Sequence, residues 1–271
     1  MRIILPMAAA GLLVIYGVIS FIIARGVTQA DRYSQEAQPS DYGLEYEDVE
    51  FLSRQGGLIL SGWYLSEDSG SPHIIFVHGI GSVRSGDHAV ELASRLVDFD
   101  FNVLMFDLRG HGSSSGDKVS GGYFERWDVL GAFDYLLERG VDPGRIGLIG
   151  FSMGAAASIL AAAEESRINA VAVDSTFANA SDLIAREAAR KTAIPGWLTP
   201  IFMPASKLMA NGIYGIDIGA LVPERAVSKL DYPVLVIHGK ADERVPWQQG
   251  QRVAEAAKAV SYTHLRAHEP R

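Results

Sequence analysis

Residues 145–161 have the sequence RIGLIGFSMGAAASILA, and this stretch decides the fold. Residues 145–149 form a short apolar run that is typical of a buried strand. Residues 155–161 are rich in alanine, which favours a helix. Between them, residues 150–154 fit the pattern G-x-S-x-G around Ser152. A strand, a sharp turn and a helix in this order predict that Ser152 is held in a strained conformation with its hydroxyl above the edge of a sheet.

The chemistry expected of Ser152 is that of a nucleophile. The glycines two residues to either side remove side chains that would clash in the turn. The helix that follows directs its first N–H groups to the place where negative charge develops. The pattern alone is weak evidence in a chain with 28 glycines, so the inference depends on the flanking strand and helix.

A second strand and glycine turn lie at residues 73–81, with the sequence HIIFVHGIG. The backbone N–H of Ile80 can face Ser152, and with the N–H of Met153 it would form an oxyanion hole for a tetrahedral intermediate. An ordinary turn at the end of a strand is the alternative. We interpret His78 as a structural turn residue.

The next strand and turn, residues 102–112, contain Asp107 and His111. Both residue types could belong to an active site. Short polar side chains at such turns commonly bond the local backbone, so we expect them to stabilise the turn.

A candidate for the carboxylate that orients a catalytic histidine is Asp242, a few residues beyond the apolar strand in residues 232–246. A solvated loop carboxylate is the alternative interpretation. Glu243, next to it, and Asp174, after the strand at residues 170–173, are the other candidates for the same role.

Together these segments resemble α/β-hydrolase fold proteins. More narrowly, the chain is similar to membrane-anchored bacterial serine hydrolases related to prolyl-oligopeptidase-like and serine-aminopeptidase-like esterases. The matching segments are residues 77–79, 107–112, 150–154, 173–175 and 237–239, with Asp242, Val245 and Pro246. The resemblance implies Ser152 as the nucleophile, Asp242 as the acid, the N–H groups of Ile80 and Met153 as the oxyanion hole, and no metal or cofactor.

Composition excludes several other classes. The chain has 271 residues, which suits one α/β domain with an extra segment. Its net charge of −8 argues against a nucleic-acid partner. It has no cysteine, which rules out disulfides, a thiol nucleophile and zinc held by cysteine.

The α/β-hydrolase domain is expected over residues 44–259. Two antiparallel strands are predicted first, at residues 45–52 and 58–65. Alternating strands and helices follow, which predicts a mostly parallel sheet with helices on both faces. The predicted strands are 73–78, 102–107, 145–150 and 169–174, and the predicted helices are 87–98, 123–139, 153–165 and 247–259.

Residues 177–230 are too long for one simple crossover between strands. We interpret this segment, which contains Trp197, Phe202, Met203 and Met209, as a cap beside Ser152 that shapes an apolar substrate pocket. A single helix with a long connection is the alternative.

The N-terminus forms a separate unit. Residues 3–24 carry no charge, and this length crosses the roughly 30 Å core of a bilayer. We expect an uncleaved transmembrane anchor with the domain on the outer side of the membrane, followed by a polar linker over residues 25–43. A cleavable signal peptide is the alternative.

The last residues, 260–271, lack an alternating or continuous apolar run and are predicted to be a poor strand. Residues 260–269 resemble the translation of a transposon-end sequencing adapter. We therefore expect the natural sequence to end near residue 259, the catalytic histidine to be absent, and the last natural strand to be an unpaired edge. The alternative is that His268, 26 residues after Asp242, completes the triad, with His264 as the weaker candidate.

The leading hypothesis is a serine hydrolase that cleaves an ester or related acyl bond of a small molecule through a Ser-His-Asp mechanism. A serine peptidase of the same fold is the near alternative. A non-catalytic, membrane-tethered binding module is the alternative from another class.

Overall fold

The computed structural model describes residues 4–26, 28–66, 70–191 and 194–265. Within them, eight strands form one sheet in the order β1-β2-β4-β3-β5-β6-β7-β8. The strands are β1 Glu47–Leu52, β2 Ile59–Leu65, β3 His73–Val77, β4 Asn102–Phe106, β5 Ile146–Phe151, β6 Val171–Asp174, β7 Val234–Gly239 and β8 Val260–Leu265. The helices are α1 Ile4–Gly26, α2 Ala89–Asp98, α3 Glu125–Glu138, α4 Met153–Glu164, α5 Ala180–Lys191, α6 Thr199–Tyr214, α7 Pro223–Val227 and α8 Trp247–Ala256.

The sheet is mostly parallel, as predicted. β1 pairs with β2 and β2 with β4 in antiparallel fashion, and all later neighbours are parallel. The carboxyl ends of β3, β5, β6 and β7 therefore meet at one edge of the sheet, the edge where parallel α/β sheets place their ligand sites.

Helices cover both faces of the sheet, which confirms the predicted α/β class. Side chains of α3, α4, α7 and α8 share one apolar core with the sheet. α2 packs on the opposite face, where Ala89, Val90 and Ala93 contact Phe76 and Met105 in a second cluster. The central strands are apolar except at their ends, as expected for strands that helices bury from both sides.

Helix α1 lies along α6 in a parallel orientation. The Tyr16 hydroxyl donates to the carbonyl of Ile201 at 3.0 Å, and the Ser206 hydroxyl donates to the carbonyl of Ser20 at 3.1 Å. In the described part of the chain, no helix has both the length and the apolar character needed to cross a membrane. The transmembrane helix expected over residues 3–24 is therefore not supported.

Residues 28–36, which composition assigned to a polar linker, are docked against the domain, and we call them the N-terminal strap. The Arg32 guanidinium donates to the carbonyls of Gly112 at 2.7 Å and Gly116 at 2.5 Å. The Gln35 amide donates to both carboxylate oxygens of Asp107 at 2.9 and 3.2 Å. Polar composition failed to distinguish a linker from this strap because its contacts are hydrogen bonds to the backbone and to a buried carboxylate.

The C-terminal expectation needs a correction. Residues 260–265 form β8, which pairs in parallel with β7, so β7 is not an unpaired edge. Strand pairing uses backbone groups and therefore does not require an apolar run. Val260, Tyr262 and Thr263 are also residue types that favour extended structure.

Candidate active site

Ser152 occupies a strained turn between β5 and α4. Its backbone has φ 51° and ψ −111°, outside the regions that non-glycine residues ordinarily adopt. Its N–H donates to the carbonyl of Asp174 at 2.9 Å, which holds the turn against the end of β6. Strain of this kind persists only where the surrounding structure enforces it, and it is concentrated at functional sites.

The glycines around Ser152 are required by close backbone packing. A Cβ at Gly150 would lie 2.6 Å from the carbonyl oxygen of Gly154. A Cβ at Gly154 would lie 2.7 Å from the carbonyl carbon of Val77 and nearer still to its oxygen. These contacts bring α4 directly against the end of β3, and so place the turn after β3 beside Ser152.

Ile80 and Met153, the predicted oxyanion donors, line the same cavity as Ser152. Met153 is the first residue of α4, so its N–H has no acceptor within the helix. Gly79 leaves the approach open, since a Cβ there would lie 3.2 Å from the Cβ of Ser152. The structure thus brings Ile80 together with Ser152 and Met153, which lie 72 and 73 positions later in the chain.

His78 and His111 bond the backbone of the turns that surround the site. His78 is buried, with Nδ1 2.8 Å from the carbonyl of Gly79 and Nε2 accepting from the N–H of Leu108 at 3.0 Å. Burial and the neighbouring His111 lower the pKa of His78 to about 4, so the ring is neutral at pH 7. His111 Nδ1 lies 2.9 Å from the carbonyl of Arg109. These contacts agree with structural roles.

Asp107 connects three segments around the cavity. Its carboxylate accepts from the N–H of Arg84 at 2.8 Å, from the N–H of Ser113 at 3.0 Å and from the amide of Gln35. The side chain is fully buried. Asp107 therefore fixes the turn after β3, the turn after β4 and the N-terminal strap relative to one another.

Asp242 lies in the loop after β7, two strands from Ser152. Its Oδ1 accepts from the N–H groups of Arg244 at 2.9 Å and Val245 at 2.8 Å. Its Oδ2 is 3.6 Å from Nε2 of His238. Two backbone donors thus hold this carboxylate in one orientation, as a group that positions a catalytic histidine requires.

His238, which the sequence analysis did not assign a role, is fully buried under this loop. Its Nε2 lies 2.8 Å from the carbonyl of Val245, so Nε2 carries the proton and the ring supports the Asp242 loop. No sequence signal distinguished this histidine from a catalytic one.

The other two carboxylates have different environments. Asp174 lies at the end of β6, where its Oδ1 accepts from the Ser175 hydroxyl at 3.0 Å, and burial raises the pKa of its carboxyl group. Glu243 is exposed. Of the three, Asp242 is the one held by two backbone N–H groups in the loop beside the cavity.

Of the two C-terminal histidines proposed as alternatives for the triad, the structure describes only His264. His264 is a β8 residue whose register partner on β7 is His238. His268 lies outside the described residues. Among the described residues, no group of three or more histidine and acidic side chains is arranged to hold a metal ion.

A cavity of about 330 Å³ opens at Ser152. One wall is apolar and comes from the segment of α5 to α7. That wall consists of Phe177, Ala180, Leu183, Ile184, Ile216, Ile218 and Leu221. Trp197, Phe202, Met203 and Met209, the apolar residues that drew attention to this segment, are not among the lining residues, and Trp197 is 76% exposed.

The opposite wall of the cavity includes Asp31 and Tyr33 of the N-terminal strap. The sequence analysis missed this wall, because nothing in the strap's composition marks contact with a segment more than 100 residues away. Arg244 and Glu187 also line the cavity.

Comparison with known proteins agrees with this architecture. The sequence profile of the alpha/beta hydrolase fold matches residues 72–202. The chain is 28% identical over 218 residues to uncharacterized protein YfhR of Escherichia coli (strain K12). The aligned region covers 78% of this chain and 68% of YfhR. It is 24% identical over 244 residues to lysophosphatidylserine lipase ABHD12 of Danio rerio, covering 81% of this chain and 61% of that lipase. The solved structure of Pyrococcus furiosus esterase Pf2001 is similar with a TM-score of 0.68 and 27% identity, over 87% of this chain and 88% of the esterase.

Proposed function

We propose that this chain, which has the α/β-hydrolase fold, is a serine hydrolase that cleaves an ester or related acyl bond. The observation that carries the proposal is the strained Ser152 elbow, which opens into a cavity shared with Ile80 and Met153. The similarity to an esterase and to a lipase supports hydrolase activity.

In the proposed reaction, the Ser152 hydroxyl attacks the carbonyl carbon of the substrate. The N–H groups of Ile80 and Met153 stabilise the oxyanion that forms, and the alcohol leaves. Water then attacks the acyl-enzyme and releases the acid. A histidine oriented by Asp242 accepts the proton of the hydroxyl and passes it to the leaving group.

Ser152→Ala tests the nucleophile. We expect loss of p-nitrophenyl ester hydrolysis and loss of the fluorophosphonate adduct on the peptide that contains residue 152, as measured by mass spectrometry. An oxyanion hole alone retains about 10³–10⁴-fold catalysis over water, so long incubations detect labelling even without a base. Ser228→Ala, at an exposed serine, is the control. An adduct that persists in Ser152→Ala would contradict the proposal.

The choice of carboxylate has its own test. Asp242→Asn keeps the shape of the loop but removes the charge that stabilises an imidazolium, so in a protein whose triad includes its histidine we expect a loss of about 10²-fold or more in kcat. Asp174→Asn is the matched variant at the end of the neighbouring strand. If Asp174→Asn has the larger effect on kcat, Asp174 is the acid.

His268→Ala tests the prediction drawn from residues 260–269. If those residues are not natural, the chain hydrolyses esters only at the residual rate, and the substitution leaves that rate unchanged. A drop of 10³-fold in kcat would instead assign the base to His268 and overturn the prediction.

A panel of p-nitrophenyl esters and aminoacyl p-nitroanilides separates an esterase from a peptidase of the same fold. We expect cleavage of the esters. Preferential cleavage of the anilides would favour the peptidase.

We also propose that residues 3–24 attach the protein to a membrane, with the domain on the outer side. Support comes from the uncharged sequence and from the exposure of Leu12 and Leu13 on α1 at 68% and 71%. Carbonate-washed membranes should retain the protein and lose the Leu12→Asp/Leu13→Asp variant. Leu52→Asp, at an apolar residue that is 60% exposed on β1, is the control. Retention of the double variant would contradict the attachment.

A further inference from the structure

An ion pair between two separate elements lines the Ser152 cavity. Nε of Arg244, in the loop after β7, lies 3.9 Å from Oε1 of Glu187 on α5. Both side chains line the Ser152 cavity. Both also line a groove on the other side, which we call the outer groove. The pair therefore lies between the Ser152 cavity and the outer groove.

The outer groove lies between α5, the start of α6 and the loop after β7. Its lining combines the small residues Ala185, Ala189, Gly196 and Pro200 with the charged or polar residues Arg186, Glu187, Thr199, Glu243 and Arg244. The methyl and methylene groups of the small residues suit an unbranched alkyl chain, which gains binding free energy in proportion to the apolar area that it buries.

The pair is built so that it can open. Arg244 is 48% exposed, and 3.9 Å is long for an ion pair. Partly exposed pairs of this kind favour the closed arrangement by no more than about fivefold. The N–H of Arg244 is bonded to Asp242, so the Arg244 side chain can swing away while the backbone of the Asp242 loop stays in place.

We propose that the outer groove is a second subsite for the distal part of a long acyl chain, and that Glu187 and Arg244 form the gate to it. This inference rests on the proposed acyl hydrolysis and specifies its substrate class as long-chain acyl compounds. The cavity of about 330 Å³ holds about ten non-hydrogen atoms at roughly 30 Å³ each. Chains longer than that enter the outer groove through the gate.

The test is the affinity of linear fatty-acid carboxylates with 4 to 14 carbons, measured by calorimetry below their micelle concentrations. These are product analogues, so their binding does not require turnover. We expect affinity to rise by up to about fourfold per methylene and to continue rising beyond ten carbons. Ala185→Phe fills the groove. We expect this variant to bind the 14-carbon acid at least tenfold more weakly and to bind the 8-carbon acid with unchanged affinity.

The gate variant is Glu187→Ala/Arg244→Ala. We expect binding of the 14-carbon acid to tighten by up to fivefold relative to binding of the 8-carbon acid. Exchange of the two charges, Glu187→Arg/Arg244→Glu, should restore the wild-type profile. Arg252→Ala is the control, since Arg252 pairs with Asp182 on α5 at 2.9 Å outside both spaces.

A chain-length profile that Ala185→Phe leaves unchanged would overturn the subsite, and a gate variant identical to wild type would overturn the gate. Failure of the proposed function is a separate result, namely ester hydrolysis that Ser152→Ala does not affect. Thermal unfolding of each variant, monitored by circular dichroism, distinguishes loss of binding from loss of fold.

Discussion

Gly154→Ala is the substitution whose effect the structure determines most directly. Alanine is ordinarily the better helix residue, by about 1 kcal/mol. At Gly154, however, the added Cβ would lie 2.7 Å from the carbonyl carbon of Val77 and nearer to the carbonyl oxygens of Val77 and His78. These are backbone atoms, which cannot rotate out of the way. Overpacking typically costs about 1–3 kcal/mol, and we take the upper end here.

The expected net effect is a loss of about 2 kcal/mol in the free energy of unfolding. For a domain of this size, 1 kcal/mol shifts Tm by about 2–4 °C, so Tm should fall by about 4–8 °C. The assay is urea unfolding by circular dichroism, with m-values compared to establish that the transition is the same. Movement of the end of β3 would also displace the Ile80 N–H, so ester hydrolysis should fall by tenfold or more.

Gly212→Ala is the matched control. Gly212 lies in α6, and a Cβ there would meet nothing within 4 Å. The helix preference then acts alone, and Tm should rise by about 2–4 °C. The reasoning is refuted if Gly154→Ala is as stable as Gly212→Ala, because the close approach of α4 to β3 would then have no energetic consequence.

Three further outcomes are expected. Asp107→Ala should lower the free energy of unfolding, measured in urea, by about 3 kcal/mol or more, because it leaves buried donors such as the Arg84 N–H without an acceptor. Wild-type stability would contradict this. Arg32→Ala should speed chymotryptic cleavage of the N-terminal strap, since the guanidinium holds it to backbone carbonyls; an unchanged cleavage rate would show that the strap is held otherwise. Hydrogen bonds from Arg167 lower the pKa of Glu165 from 4.5 to about 2, so its stabilisation is complete above pH 4.5 and is lost as pH falls towards 2. Glu165→Gln should therefore flatten the dependence of stability on pH in that window, and an unchanged slope would contradict the assignment.

Much of the fold could be predicted because the apolar composition of the central strands indicates that they are buried. β3, β4 and β5 are short apolar runs, and such runs are stable when helices cover both faces of a sheet. The pattern around Ser152 was equally informative, since only glycine at residues 150 and 154 permits the packing of α4 on the strands. These are local requirements, and each is visible in a window of a few residues.

The prediction that residues 260–265 make a poor strand was wrong for a physical reason. Side-chain patterns report which residues are buried, whereas strand pairing depends on backbone groups that every residue has. The open edge of β7 accepts residues 260–265 although they lack an apolar pattern. The periodicity of residues 260–265 could not predict β8, because this strand forms by pairing with β7 and not through its own side-chain pattern.

The sequence by itself thus determined strands β1 to β7, the mostly parallel class of the sheet and the serine at its carboxyl edge. The tertiary structure alone decided what surrounds that serine. It placed the N-terminal strap across the cavity through Arg32 and Gln35, and it set Arg244 against Glu187. These contacts join segments far apart in the chain, and their residue types are the same as those of an ordinary solvated surface. Their partners are chosen by the path of the folded backbone, which no local pattern encodes.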